Sequence, residues 1–208
     1  MSIMEREDTP SPSLSGNLEA NLHTGDTLST ENAQNSLGFI QVYTGNGKGK
    51  TTAAWGLALR SVGNGLKVAV VQFLKLPNSG ERIAAREHIP ELTVIGETRP
   101  YNVNADISSS DICREDSRRI FEDAKGLILS GDFDMVVLDE MNVVLHYGFV
   151  SQGELMDLLR SRPTRTELVF TGRYAPDWLI ETAQLVTEMR DVKHPSRQGV
   201  KARKGIER

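Results

Sequence analysis

Cysteine is nearly missing from this chain. A single one, Cys113, occurs in 208 residues, which excludes an internal disulfide framework and a zinc site built from several cysteines, and fits a reducing compartment. Nothing beside it in sequence resembles a partner base, so Cys113 reads as an ordinary thiol on a helix. Long apolar runs are missing too. No stretch is apolar for long enough to span a bilayer, and the amino terminus shows no basic-then-apolar signal segment, so a cytoplasmic protein is expected. Nor is there an excess of positive charge: the formal charge of -4 argues against a general binder of nucleic acid or anionic membranes and leaves room only for local basic clusters. No polymer substrate is expected. Finally, no nucleophile, base and orienting acid declare themselves as a triad.

What is present is organised around Thr44-Gly45-Asn46-Gly47-Lys48-Gly49-Lys50-Thr51-Thr52, directly after the apolar run 39–43. Glycines at alternate positions let the backbone turn tightly and aim successive N–H groups at one anion. The helix that begins near Lys50 adds its positive end. Lys50 is placed to bridge phosphates and Thr51 to hold a divalent cation. Relative to the usual phosphate-loop pattern the loop is a variant, with Thr44 where the first glycine is expected and Gly45 one residue late. A ligand-free Gly/Lys turn would not require strand, loop and helix in this order.

Residues 1–37 are rich in Ser, Thr, Asn, Asp and Glu, contain Pro10 and Pro12, and show no sustained apolar period. They read as a disordered tail. The alternative is a lid over the nucleotide site using Leu14, Leu18, Leu22 and Leu28, with His23 beside them. From residue 38 onward apolar runs alternate with turns and helical periods, the pattern of a parallel sheet covered by helices. Residues 51–62 carry Ala54, Trp55, Ala58, Leu59 and Val62 at helical spacing, with Trp55 read as packing. Arg60 is polar and is either solvated or reaches phosphate or ribose through an intervening group.

Residues 67–73 form a nearly continuous apolar run expected to be a central strand buried on both faces. Lys75, just beyond its carboxyl end, is either a surface lysine or a second basic ligand. A third strand at 92–95 leads into a polar loop, 96–104, of a length that substrate loops often have. A helix follows over 111–129, with Ile112, Ile120, Ala124, Leu127 and Ile128 as its apolar positions. The run 133–140 then delivers two adjacent carboxylates, Asp139 and Glu140, at a strand end. Phosphate-loop proteins bring acid groups to the metal opposite the loop threonine in this way. His146 reads as structural. A helix capped by Ser151 closes before Pro163, the next strand places Arg173 at its carboxyl end as a third cation, and the closing stretch from Lys193 is strongly basic.

The blocks 43–54, 71–75 and 135–140, with Thr171-Gly172-Arg173, Val192-Lys193-His194-Pro195, Gly199 and Gly205-Ile206-Glu207, resemble the ATP:corrinoid adenosyltransferases of the CobA/CobO/BtuR type. The likeness covers about residues 38–207. It implies an α/β fold: a P-loop NTPase-like (RecA-like), mostly parallel sheet with helices on both faces, in a domain 38–208 behind the tail 1–37. It implies transfer of the 5′-deoxyadenosyl group of ATP to the Co(I) of a reduced corrinoid, with tripolyphosphate leaving and Mg²⁺ or Mn²⁺ assisting. Carried over by position, Gly45, Asn46, Gly47, Lys48, Gly49, Lys50, Thr51 and Thr52 would cradle the triphosphate. Arg60, Lys75 and Arg173 would stand on the nucleotide side, and Thr51 and Glu140 would bind metal, with Asp139 ranked behind them as a direct ligand.

The resemblance further implies a homodimer and a flavoprotein reductant. Well-known members carry a Phe-x-Trp pair after the position of Gly96, whose rings help displace the corrinoid's lower ligand. Here the segment is Glu97-Thr98-Arg99-Pro100-Tyr101. Either Tyr101 serves alone, or the amino-terminal tail covers the cobalt, or activity on cobalamin is weak. Rival readings are a phosphate-loop ATPase or small-molecule kinase, whose product would be ADP, and a binding protein that holds ATP or corrinoid without turnover.

Overall fold

The computed structural model describes residues 38–102 and 106–206. The tail with Leu14, Leu18, Leu22, His23 and Leu28 lies outside the described residues, as do Asn104 and Glu207. The described strands are β1 (Ile40–Thr44), β2 (Val68–Gln72), β3 (Leu92–Ile95), β4 (Met135–Asp139), β5 (Glu167–Thr171) and β6 (Leu185–Glu188). They form one sheet in the order β3-β2-β4-β5-β1-β6, and every neighbouring pair is parallel. Six helices connect them: α1 (Lys50–Gly63), α2 (Gly80–His88), α3 (Asp111–Ser130), α4 (Met141–His146), α5 (Gln152–Ser161) and α6 (Asp177–Thr182).

The central strands β2, β4 and β5 are buried at every residue, as near-continuous Val/Leu/Phe runs covered on both faces should be. Alternate side chains go to opposite sides. Ala69, Val71, Val136, Leu138, Leu168 and Phe170 pack with α3 to α6, whereas Val68, Val70, Met135, Val137 and Val169 pack with Ala54 and Ala58 of α1 and Ala85 of α2. Trp55 joins this second layer as a packing residue.

Two expected core positions face solvent instead. Leu59 is 55% and Ile112 36% exposed. Each lies one residue, about 100° of helix rotation, from the stripe that is buried: Ala54, Ala58 and Ser61 in α1, and Cys113, Ser117, Ile120, Phe121, Ala124 and Ile128 in α3. Cys113 is fully buried. Helix ends follow local chemistry. Ser110 caps α3 by accepting from the N–H of Cys113, and Gly131 ends it in the left-handed conformation. Ser151 and Glu154 form a reciprocal capping box on α5. Among the described residues no helix is long and apolar enough to cross a membrane.

The amino end of β1 is held by one carboxylate. Glu167 accepts from the N–H groups of Gly38 at 2.9 Å and Phe39 at 2.8 Å and from the Gln41 amide at 2.7 Å.

Candidate active site

The loop 45–49 leaves β1 with Gly45 at φ 92° and Gly49 at φ 121°, conformations that side-chain-bearing residues avoid. Lys50 folds back over it, its Nζ donating to the carbonyls of Gly45 and Gly47 at 2.7 Å each. Burial lowers the Lys50 pKa, and Glu140 opposes that shift. A cation held in a glycine loop by backbone oxygens is poised to exchange them for phosphate oxygens.

The expectation that successive loop N–H groups share one anion is modified at Gly47. Its N–H donates to the carbonyl of Met189 at 2.6 Å. The reason is β6: its pairing with β1 carries residues 189–190 against the loop, so close that a Cβ on Gly47 would stand 2.7 Å from the Arg190 carbonyl. Lys48 likewise turns to the chain's basic end, donating to the carbonyl of Ile206 at 2.8 Å. Asn46 lines a cavity of about 340 Å³ with Glu188, Arg190, Asp191 and Arg197. Thr52 is exposed in the first turn of α1.

Behind the loop stands a buried polar cluster. Thr51 donates to Asp139 Oδ1 at 2.8 Å, Thr171 donates to the same oxygen at 2.6 Å, and the Gln72 amide donates to Oδ2 at 3.3 Å. Asp139, Gln72 and Thr171 are fully buried. The carboxylate that touches Thr51 is therefore Asp139, and its oxygens are occupied by protein donors. Glu140 is differently placed. It adopts φ 67°, its N–H donates to the Thr171 hydroxyl at 2.9 Å, and its side chain lies 3.8 Å from Lys75 Nζ. Burial and the neighbouring Asp139 raise its pKa, while Lys75, Lys50 and Arg173 pull it down.

Arg173 is exposed at the end of β5, within electrostatic reach of both Lys50 and Glu140. Beside it Tyr174, at φ 62°, stacks on His146 with ring centres 4.3 Å apart. The described non-glycine residues with positive φ are Leu74, Glu140 and Tyr174. They follow β2, β4 and β5, so backbone strain gathers at one edge of the sheet, as it does around functional sites. Tyr101 reaches the same edge with its hydroxyl on the Leu74 carbonyl at 3.0 Å. Arg60 does not. It lies in the last turn of α1, about 15 Å along the helix axis from Lys50, and it acts electrostatically on Tyr43.

Sequence reasoning passed over Gln72, Thr171 and the buried Asn142, whose amide donates to the Gly172 carbonyl at 3.1 Å. The available signal was polarity inside otherwise apolar buried runs, at or just beyond a strand's carboxyl end.

A lysine in a glycine loop after the first strand, with a threonine bonded to a strand-end aspartate across the sheet, defines a phosphate-loop nucleotide-binding protein of the parallel α/β class. A solved structure shares the fold: flagellar accessory protein FlaH from Methanocaldococcus jannaschii, at TM-score 0.51, 14% identity and 78% of each chain. At that identity the likeness concerns architecture alone. The family is defined by sequence: the model for ATP:corrinoid adenosyltransferase BtuR/CobO/CobP matches residues 36–208, and the chain belongs to that family. It is 40% identical over 177 residues to a corrinoid adenosyltransferase of Escherichia coli (strain K12), covering 84% of this chain and 88% of the relative. It is 37% identical over 177 residues to the corrinoid adenosyltransferase CobA of Salmonella typhimurium (strain LT2), with the same coverage.

Proposed function

We propose that this protein transfers the 5′-deoxyadenosyl group of ATP to the Co(I) of a reduced corrinoid. A cobalt–carbon bond forms as the C5′–oxygen bond breaks; cobalt supplies the electron pair and is oxidised from +1 to +3, and tripolyphosphate leaves with the electrons of the broken bond. Co(I) is itself the nucleophile, so the protein's task is positioning and charge. The observation that carries the reading is the gathering of three cations at one edge of the sheet: Lys50 folded over the glycine loop, Lys75 at 3.8 Å from Glu140, and Arg173 just beyond β5, each acting on the Glu140 carboxylate. Three cations at one edge suit a leaving group that carries charge on every phosphate.

The residues also fit a divalent cation. Among the described residues no cluster of three or more His, Cys, Asp or Glu could hold one unaided. Thr51 and Glu140 offer hard oxygen donors beside the loop, and Mg²⁺ or Mn²⁺ is commonly bound by one or two such groups together with substrate phosphates. Bound there, the ion would neutralise phosphate charge. Asp139 orients Thr51 from behind, and the loop residues Gly45 to Thr52 surround the triphosphate. The catalytic domain is 38–208. A homodimer and a flavoprotein electron donor complete the proposal.

The test is anaerobic. Protein, ATP, Mg²⁺ and chemically reduced cob(I)alamin are mixed and the visible spectrum is followed for a light-sensitive cobalt–carbon bond. Failure to alkylate any reduced corrinoid while ATP still binds would overturn the transferase reading in favour of a binding protein.

A further inference from the structure

Two loops leave the sheet side by side at this edge: one follows β2 and carries Lys75, the other, residues 96–102, follows β3. Two hydrogen bonds stitch them together. The Thr98 N–H donates to the Lys75 carbonyl at 3.0 Å, and the Tyr101 hydroxyl donates to the Leu74 carbonyl at 3.0 Å. Leu74 stands at φ 54°, a left-handed conformation that is unfavourable for leucine and persists only where neighbours impose it. Its side chain is buried in the core at 9% exposure, and the tyrosine holds its carbonyl. The residue aimed by that turn is Lys75, whose Nζ lies 3.8 Å from Glu140.

Tyr101 is itself well anchored. Its ring packs half-buried on the main core. Two residues earlier, Arg99 donates its backbone N–H to Asp116 of α3 at 2.7 Å and its Nε to the same carboxylate at 3.0 Å, and Asp116 is 3% exposed. A strained turn gripped from an anchored loop is a means of presetting a side chain.

We propose that Tyr101 is a positioning residue for the nucleotide: its hydroxyl holds Leu74 in the left-handed turn that directs Lys75 toward Glu140 and the triphosphate. The inference rests on the reading that ATP lies over Lys50 and Lys75. It gives the loop after β3 a task on the nucleotide side, distinct from the acceptor-side task expected from sequence.

The test uses Tyr101→Phe, which keeps the ring and removes only the hydroxyl, together with Lys75→Ala and the double variant. Affinity for ATP with Mg²⁺ is measured by calorimetry without corrinoid, so turnover plays no part. Tyr101→Phe should weaken ATP binding about three- to tenfold, the scale of one lost hydrogen bond. The double variant should bind no more weakly than Lys75→Ala alone, because the tyrosine acts through the lysine. Binding of cob(II)alamin should be unchanged in Tyr101→Phe. Unaltered ATP affinity, full additivity with Lys75→Ala, or a loss confined to corrinoid binding would each overturn the inference. A wild-type protein that binds no ATP would instead refute the nucleotide reading itself.

Discussion

Thr51, in the first turn of the helix after the glycine loop, donates to Oδ1 of Asp139 at the end of β4, at 2.8 Å. Thr171, from β5, shares that oxygen at 2.6 Å and accepts the N–H of Glu140 at 2.9 Å. One buried hydroxyl thus sets both neighbouring acids, the one that orients Thr51 and the one that faces the cations. Thr171→Val should cost about 1–3 kcal/mol of stability, since it leaves polar groups without partners, and should weaken Mg²⁺-dependent ATP binding. Thr171→Ser should restore both. Chemical denaturation and ATP titration with and without Mg²⁺ check this, and a serine variant no better than valine would contradict it.

Lys50 is bonded only to loop carbonyls in the described structure, so its removal should barely affect folding. Lys50→Ala should weaken ATP binding roughly ten- to hundredfold, the scale of a charge-assisted contact, and should nearly abolish turnover. Calorimetry and single-turnover kinetics separate the two effects. A variant with normal ATP affinity would place the triphosphate elsewhere.

Gly47 has no room for a side chain, because a Cβ there would meet the Met189 and Arg190 backbone at 2.7 Å. Gly47→Ala should push residues 189–190 away from the loop and lower ATP affinity while the sheet stays folded. Hydrogen exchange should rise at residues 188–190 and remain slow in β4 and β5. Unchanged exchange with normal ATP binding would show that the loop tolerates the methyl group.

The α5 capping box gives stability with a defined pH dependence. The Ser151 N–H, then its hydroxyl, then Arg118 hold the Glu154 pKa down to about 2 from an ordinary 4.5. A depressed carboxylate stabilises the fold fully above its unfolded value and loses that contribution as pH falls toward the folded one. Ser151→Ala should therefore cost about 1 kcal/mol near neutrality, and the difference from wild type should shrink between pH 4.5 and 2. Thermal melts across that range check it; a constant or widening gap would contradict the assignment.

The strands were legible because β2, β4 and β5 are runs of apolar residues, and the helices because Ala54 and Ala58, or Ile120, Ala124 and Ile128, recur at helical spacing. Lys50, Thr51 and the acid pair announced themselves through their order along the chain. The partners did not. Gln72 and Thr171 meet Asp139 from strands 67 and 32 residues away, the Gly47 N–H is claimed by a residue that arrives only through β6, and Arg60 is carried off by the length of its own helix. Such contacts arise from sheet order, which local periodicity does not encode.

The most direct measurement is identification of the phosphorus product by ³¹P NMR after anaerobic turnover of ATP with reduced corrinoid. Adenosyl transfer requires intact tripolyphosphate in amounts equal to the new cobalt–carbon bond. ADP or free phosphate formed without alkylation would contradict the account and make the protein a phosphoryl-transfer enzyme.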